Sequence, residues 1–144
     1  MTGIISARRV WIARLLIGGV VFWNLQAAAY FILRPDTLLV SFQLEGVPGQ
    51  AAIVGYGILF LMWSVPYVFA LIRPQKYRIS LWEALIMQTI GTAAESILLS
   101  TIPLAYVHLR RSILRFLVFD GVGVLLLAMA LIISRKQAAR SIKD

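Results

Sequence analysis

Residues 81–102 read LWEALIMQTIGTAAESILLSTI, and the reading of this stretch decides the fold. It is long enough to cross a hydrocarbon core of about 30 Å as a helix, which takes about 20 residues. Yet Gln88, Thr92 and Glu95 stand inside it. Spaced at i, i+4 and i+7, they share one helical face. Gly91, Ala93, Ala94 and Ser96 surround them, and small residues let neighbouring helices approach closely. Glu95 lies about 14 residues into the run, roughly 21 Å deep at 1.5 Å per residue. An ionised carboxylate there costs at least ~2.5–3.5 kcal/mol on insertion scales. Glu95 is therefore expected to face a bundle interior and to be paired, protonated or hydrated. Two readings stay open for it. One is a hydrogen-bonded structural contact; the other is a functional group, the default for an intramembrane ionisable residue.

Working outward, three more apolar runs lie at about 10–33, 51–72 and 112–134. The chain of 144 residues suits a single integral-membrane domain, 1–144. It is 60% hydrophobic and only 14% charged, against about 45–50% apolar in soluble domains. The first run exceeds the ~7–15 residues of a secretory h-region and lacks a small-x-small cleavage site, so it reads as an uncleaved span. Arg14 is near enough to its end to snorkel. The absence of Cys excludes thiol–disulfide chemistry within the chain and any Cys-ligated metal centre.

Proline marks the boundaries. Arg34-Pro35-Asp36 ends the first run and Ile72-Arg73-Pro74 the second. The connection 34–50 carries Leu38, Leu39, Phe42 and Leu44, with Asp36 as N-cap of a short interfacial helix or turn. Gly46-Val47-Pro48-Gly49 is expected to turn the chain back into the membrane. Pro66 should kink the second span, with Ser64 near enough to satisfy freed backbone groups. Ser80-Leu81-Trp82-Glu83 matches a capping box at the start of the third.

A net charge of +8 could suggest nucleic acid, but most basic residues sit at the ends of apolar runs. That is the pattern of anchoring at an anionic membrane face, so no nucleic-acid partner is expected. With the N-terminus inside, ten basic residues fall on the inner side: Arg8, Arg9, Arg14, Arg73, Lys76, Arg78, Arg135, Lys136, Arg140 and Lys143. Four fall outside: Arg34, Arg110, Arg111 and Arg115. The excess favours N-in and C-in. The segment 135–144 reads as a basic, mobile tail.

Depths counted along the helices place Asn24, Glu95 and Asp120 at one height in the outer half of the bundle. Gln26 and Tyr56 fall slightly above, and Arg115 about one turn above Glu95. The candidate polar pocket is therefore Asn24, Gln26, Tyr56, Gln88, Thr92, Glu95, Arg115 and Asp120. An Arg115–Glu95 pair would roof it, or the same groups would form a structural network without a cavity; a buried ion pair need not add stability. Trp11, Trp82, Tyr77, Tyr30 and Tyr106 read as interface belts. Trp23 and Trp63 read as packing residues. His108 reads as a surface residue, and no helix carries metal-ligand spacing. No cofactor or metal site is expected, and no Ser/His/Asp set is credible with the only His in a loop; the catalytic residues of an enzymatic role stay open.

Arg14, Gly18-Gly19 and Phe22 in the first run, then Pro35-Asp36, a short apolar loop and Gly46-Val47-Pro48-Gly49, resemble the DoxX-like family of small four-helix membrane proteins. The resemblance covers about the first 70 residues and the four-span layout. It implies a four-helix bundle, often an accessory subunit, and in some relatives a part of a thiosulfate:quinone oxidoreductase. Family members often carry a Lys near the end of the first helix, where this chain has Gln26-Ala27-Ala28-Ala29. The Glu95, Arg115 and Asp120 set does not come from the family.

The expectation is an all-α membrane protein: a left-handed four-transmembrane-helix bundle, N-in and C-in, in the cell inner (plasma) membrane. Its expected role is that of a small accessory or ligand- or lipid-binding subunit. The alternatives are a subunit of a quinone-linked oxidoreductase and an oligomeric small-solute transporter. Partners would be the lipid bilayer, a membrane protein or a second copy, and a small apolar ligand or quinone.

Overall fold

The structure is a computed structural model, and it describes residues 2–138. The described residues form five helices: α1 Thr2–Leu33, α2 Pro35–Phe42, α3 Gly46–Ile72, α4 Arg78–Thr101 and α5 Val107–Ala138. Among the described residues, three segments are long and apolar enough to cross a membrane: Ala7–Leu33, Gly46–Ile72 and Val107–Ser134. Only 22–28% of their most apolar windows is buried inside the molecule. Leu15, Phe22, Ile58, Met62, Leu125 and Ile132 are among the large apolar side chains turned outward. An apolar exterior this extensive is what a lipid environment accepts and water does not. The chain is an integral membrane protein.

The four long helices pack in a ring, each against two neighbours, in the order α1, α3, α4, α5. Successive partners run antiparallel. α1 and α3 approach closely where Gly57 faces Ala28, Phe31 and Ile32; a Cβ at Gly57 would stand 2.7 Å from Ile32 Cγ1. α2 lies across one end of the bundle against α1, α3 and α5.

Several ends differ from the sequence expectation. The cap of α2 is Arg34, with Pro35 as the first helical residue, a position where its missing N–H is not needed. Asp36 instead accepts a hydrogen bond from Gln50 Nε2. Gly46–Gly49 is not a turn but the first turn of α3, with Gly46 at φ +62 and the Gly49 N–H bonded to the Glu45 carbonyl at 3.2 Å. The capping box at Ser80 does not form. The turn after Arg73 winds straight into α4, Tyr77 N–H donating to the Arg73 carbonyl at 2.9 Å, so the helix has begun by Arg78. Ser64 donates to the Phe60 carbonyl at 2.7 Å, which already receives a helical bond. The carbonyl that Pro66 frees is that of Met62, four residues back. α5 begins at Val107, which puts His108 in its first turn, exposed. It also continues to Ala138, so the first part of the basic tail is helical, and 139–144 lie outside the described residues.

Two arginines terminate neighbouring helices. Arg14 Nε of α1 donates to the Leu71 carbonyl in the last turn of α3 at 3.1 Å. Arg110 Nη1 of α5 donates to the Leu99 carbonyl at 2.8 Å and to that of Ile102, at the end of α4. Both satisfy carbonyls that the helix leaves open and place a cation at a negative dipole end. Arg110 thus has a local structural task at the end of α4.

The core is in two parts. At the Arg14 end, Ala13, Ile17, Val20, Val21, Tyr67, Ala70, Leu81, Ala84, Leu127, Ala130 and Leu131 form one buried cluster. At the α2 end, Phe31, Leu38 and Ile53 are buried, with Phe42, Phe60 and Phe116 packed against them.

Candidate functional site

Between the two parts, α3, α4 and α5 are joined by a polar chain. Tyr67 OH donates to Gln88 Oε1 at 2.6 Å, and Gln88 Nε2 donates to Asp120 Oδ1 at 2.8 Å. Tyr67 and Gln88 are buried. Two glycines make room for it. A Cβ at Gly123 would stand 2.7 Å from Gln88 Nε2, and one at Gly91 would stand 2.7 Å from Asp120 Oδ2. Each helix thus presents a polar side chain to a socket in the other: Gln88 of α4 over Gly123, Asp120 of α5 over Gly91. With every amide hydrogen-bond partner drawn from inside the protein, such a contact fixes the axial register of α4 against α5.

Above this chain, toward α2, a cavity of about 290 Å³ opens between α1 and α5. Its wall is aromatic: Trp23, Tyr30 and Phe31 of α1, Phe42 of α2, Phe60 of α3, Phe116 and Phe119 of α5. Phe31 meets Phe42, Phe60 and Phe116 at centroid distances of 5.6, 5.7 and 5.9 Å, all edge-on. Such pairs are favourable by about 0.5–1.5 kcal/mol, and rings met edge-on leave wedge-shaped gaps between them. Trp23 and Phe119 close the side, 5.4 Å apart. Asn24, Gln26, Arg115 and Asp120 supply the polar lining. A narrow crevice shares Asn24, Phe60 and Asp120 with the cavity and reaches Tyr67 and Gln88.

Of the eight pocket candidates, Asn24, Gln26, Arg115 and Asp120 meet in this cavity, and Gln88 borders its crevice. The other three do not line it. Tyr56 is exposed and packs on Phe42 at 6.3 Å. The Thr92 hydroxyl donates back to the Gln88 carbonyl at 2.9 Å. Glu95 Oε2 is buried without a hydrogen-bond partner, so the expected Arg115–Glu95 pair is absent. Arg115 donates instead to Ser112 Oγ at 3.3 Å, and that hydroxyl donates to the Ser41 carbonyl of α2 at 2.8 Å. Asp120 lies level with Gln88 and Gly91 rather than Glu95, about one turn from the height counted by depth. Sequence reasoning missed Tyr67 and the aromatic wall, and read Trp23 as packing only. The Phe residues at 31, 42, 60 and 116 lie on four different helices, so no spacing within one run could have signalled them.

A second, shallow groove of about 570 Å³ runs along the outside of α3 and α4, lined by Val65, Pro66, Phe69, Ser80, Glu83, Ile86 and Met87. It is open along its length and its one charged lining residue is Glu83.

Compared with family models, with curated proteins and with solved structures, the chain matches none.

Proposed function

We propose that α4 is a fourth span and that the protein binds a small, mostly apolar ligand in the cavity between α1 and α5. The observation that carries the reading is the cavity wall: seven aromatic side chains around four polar ones, beneath a helix laid across the bundle end. Ligand pockets are typically apolar with a few convergent polar groups, about 300–1,000 Å³ in size. This one is at the small end of that range.

The case for α4 rests on its hydroxyls. Thr89, Thr92, Ser96, Ser100 and Thr101 all donate to carbonyls of α4 itself, at 2.6–2.9 Å. A hydroxyl bonded to its own helix presents little unsatisfied polarity to lipid, so α4 is more lipid-compatible than its composition suggests. Ile86, Ile90, Ile97 and Leu98 face outward beside them. With four spans, the excess of basic residues at the Arg14 end favours an arrangement with both termini on the inner side of the cell's plasma membrane. An accessory role beside a membrane partner accords with the DoxX-like resemblance of the first half.

Native mass spectrometry of protein released gently from its own membranes tests the reading. A stoichiometric small molecule should accompany the native chain and be lost in Ala27→Trp, which fills the cavity. A bare chain, or a molecule retained by Ala27→Trp, would contradict it.

A further inference from the structure

The cavity holds an arginine and an aspartate, and the two are not equivalent. Arg115 has five N–H donors. Its one hydrogen bond among the described residues goes to Ser112 Oγ at 3.3 Å. Ser112 is itself held to the Ser41 carbonyl, so the guanidinium is steadied at the α2 end while most of its donors stay open. Asp120, five residues on, is about 7.5 Å further along the helix. One of its oxygens is occupied by Gln88. Its carboxyl group lies on the cavity floor, where it offers an anion no cation. The same wall carries Phe31, Phe60 and Phe116.

Resting on the cavity reading above, we infer that the ligand is an anionic amphiphile, its carboxylate or phosphate on Arg115 and its apolar body over the phenylalanine rings. The guanidinium fork matches both head groups, and each could form two parallel hydrogen bonds with it. Asp120 sets the direction, because a head group driven deeper would meet a carboxyl group instead of a cation. At about 290 Å³ the cavity admits the head and the adjoining part of one chain.

The test is fluorescence quenching in a neutral maltoside detergent. Trp11, Trp63 and Trp82 are replaced by Phe, which leaves Trp23, in the cavity wall, as the reporter. Dibrominated stearic acid should quench it saturably, and the matching dibrominated alcohol should bind at least tenfold more weakly. Arg115→Gln should weaken the acid at least tenfold, and Arg115→Lys should restore part of the loss and show that the fold tolerates change there. Displacement of the acid by phosphatidylglycerol would identify a lipid head group as the source; no displacement would identify a free carboxylate. Equal binding of acid and alcohol, or binding unaffected by Arg115→Gln, would overturn the anionic head and leave the cavity reading standing. If no probe quenched Trp23 saturably, both would fall.

Discussion

The two ends of the bundle are filled differently. At the Arg14 end the core is, apart from Tyr67 at its margin, aliphatic and small: Ala13, Ala70, Ala84 and Ala130 stand among Ile17, Val20, Leu81 and Leu127, none more than 1% exposed. Alanine opposite a branched side chain lets helices close on one another and leaves little space between them. At the α2 end the filling is phenylalanine. The rings are large and flat, Phe31 standing edge-on to three others while Phe60 stacks on Phe116, and they leave a cavity. The same four long helices thus give a sealed half and an open half, and the Tyr67–Gln88–Asp120 chain stands at the boundary. The difference teaches that side-chain shape, more than backbone course, decides where this bundle has room for a ligand.

The contrast is most sharply broken by truncation. Leu127→Ala in the sealed half should cost ~2–5 kcal/mol, because little can collapse into the void. Phe116→Ala in the open half should cost clearly less, since its ring is only partly buried and already borders the cavity, and should enlarge the cavity. Thermal unfolding in detergent checks both; equal losses would erase the distinction. Next comes the register of the boundary. Gly123→Ala drives a methyl into the Gln88 amide and should cost ~1–3 kcal/mol, as overpacking does. Gln88→Ala should relieve much of that in the double variant, a non-additivity that independent sites would not show.

That register is also where the sequence was least legible. Helix ends marked by Arg-Pro and the short helix in the 34–50 connection follow from the apolar runs and prolines; depth counting groups Asn24, Gln26, Arg115 and Asp120, which share one cavity, but sets Asp120 about a turn from its level. Periodicity fixes which residues share a face within one helix. It does not fix how far one helix is shifted along another. Here the shift is set by sockets at Gly91 and Gly123, which pair Asp120 with Gln88 and leave Glu95 out of the cavity. The capping box at Ser80 failed for a local reason: α4 begins at Arg78 with Tyr77 as its cap, so Ser80 already lies inside the helix and cannot cap it.

Two smaller effects sharpen the account. Tyr67→Phe removes the hydroxyl that reaches Gln88 and should cost ~0.5–1.5 kcal/mol, the net worth of one hydrogen bond. Arg110→Gln uncovers the carbonyls at the end of α4 and should cost ~0.3–1 kcal/mol, read as faster amide exchange confined to the last turn of that helix.

The sealed and open halves can be told apart most directly by thiol labelling in native membranes, because the chain has no Cys to give a background. Ala27 lines the cavity and Ala84 is fully buried in the sealed core. The account predicts that Ala27→Cys reacts with a small membrane-permeant maleimide at least tenfold faster than Ala84→Cys. Equal rates at the two positions would contradict it.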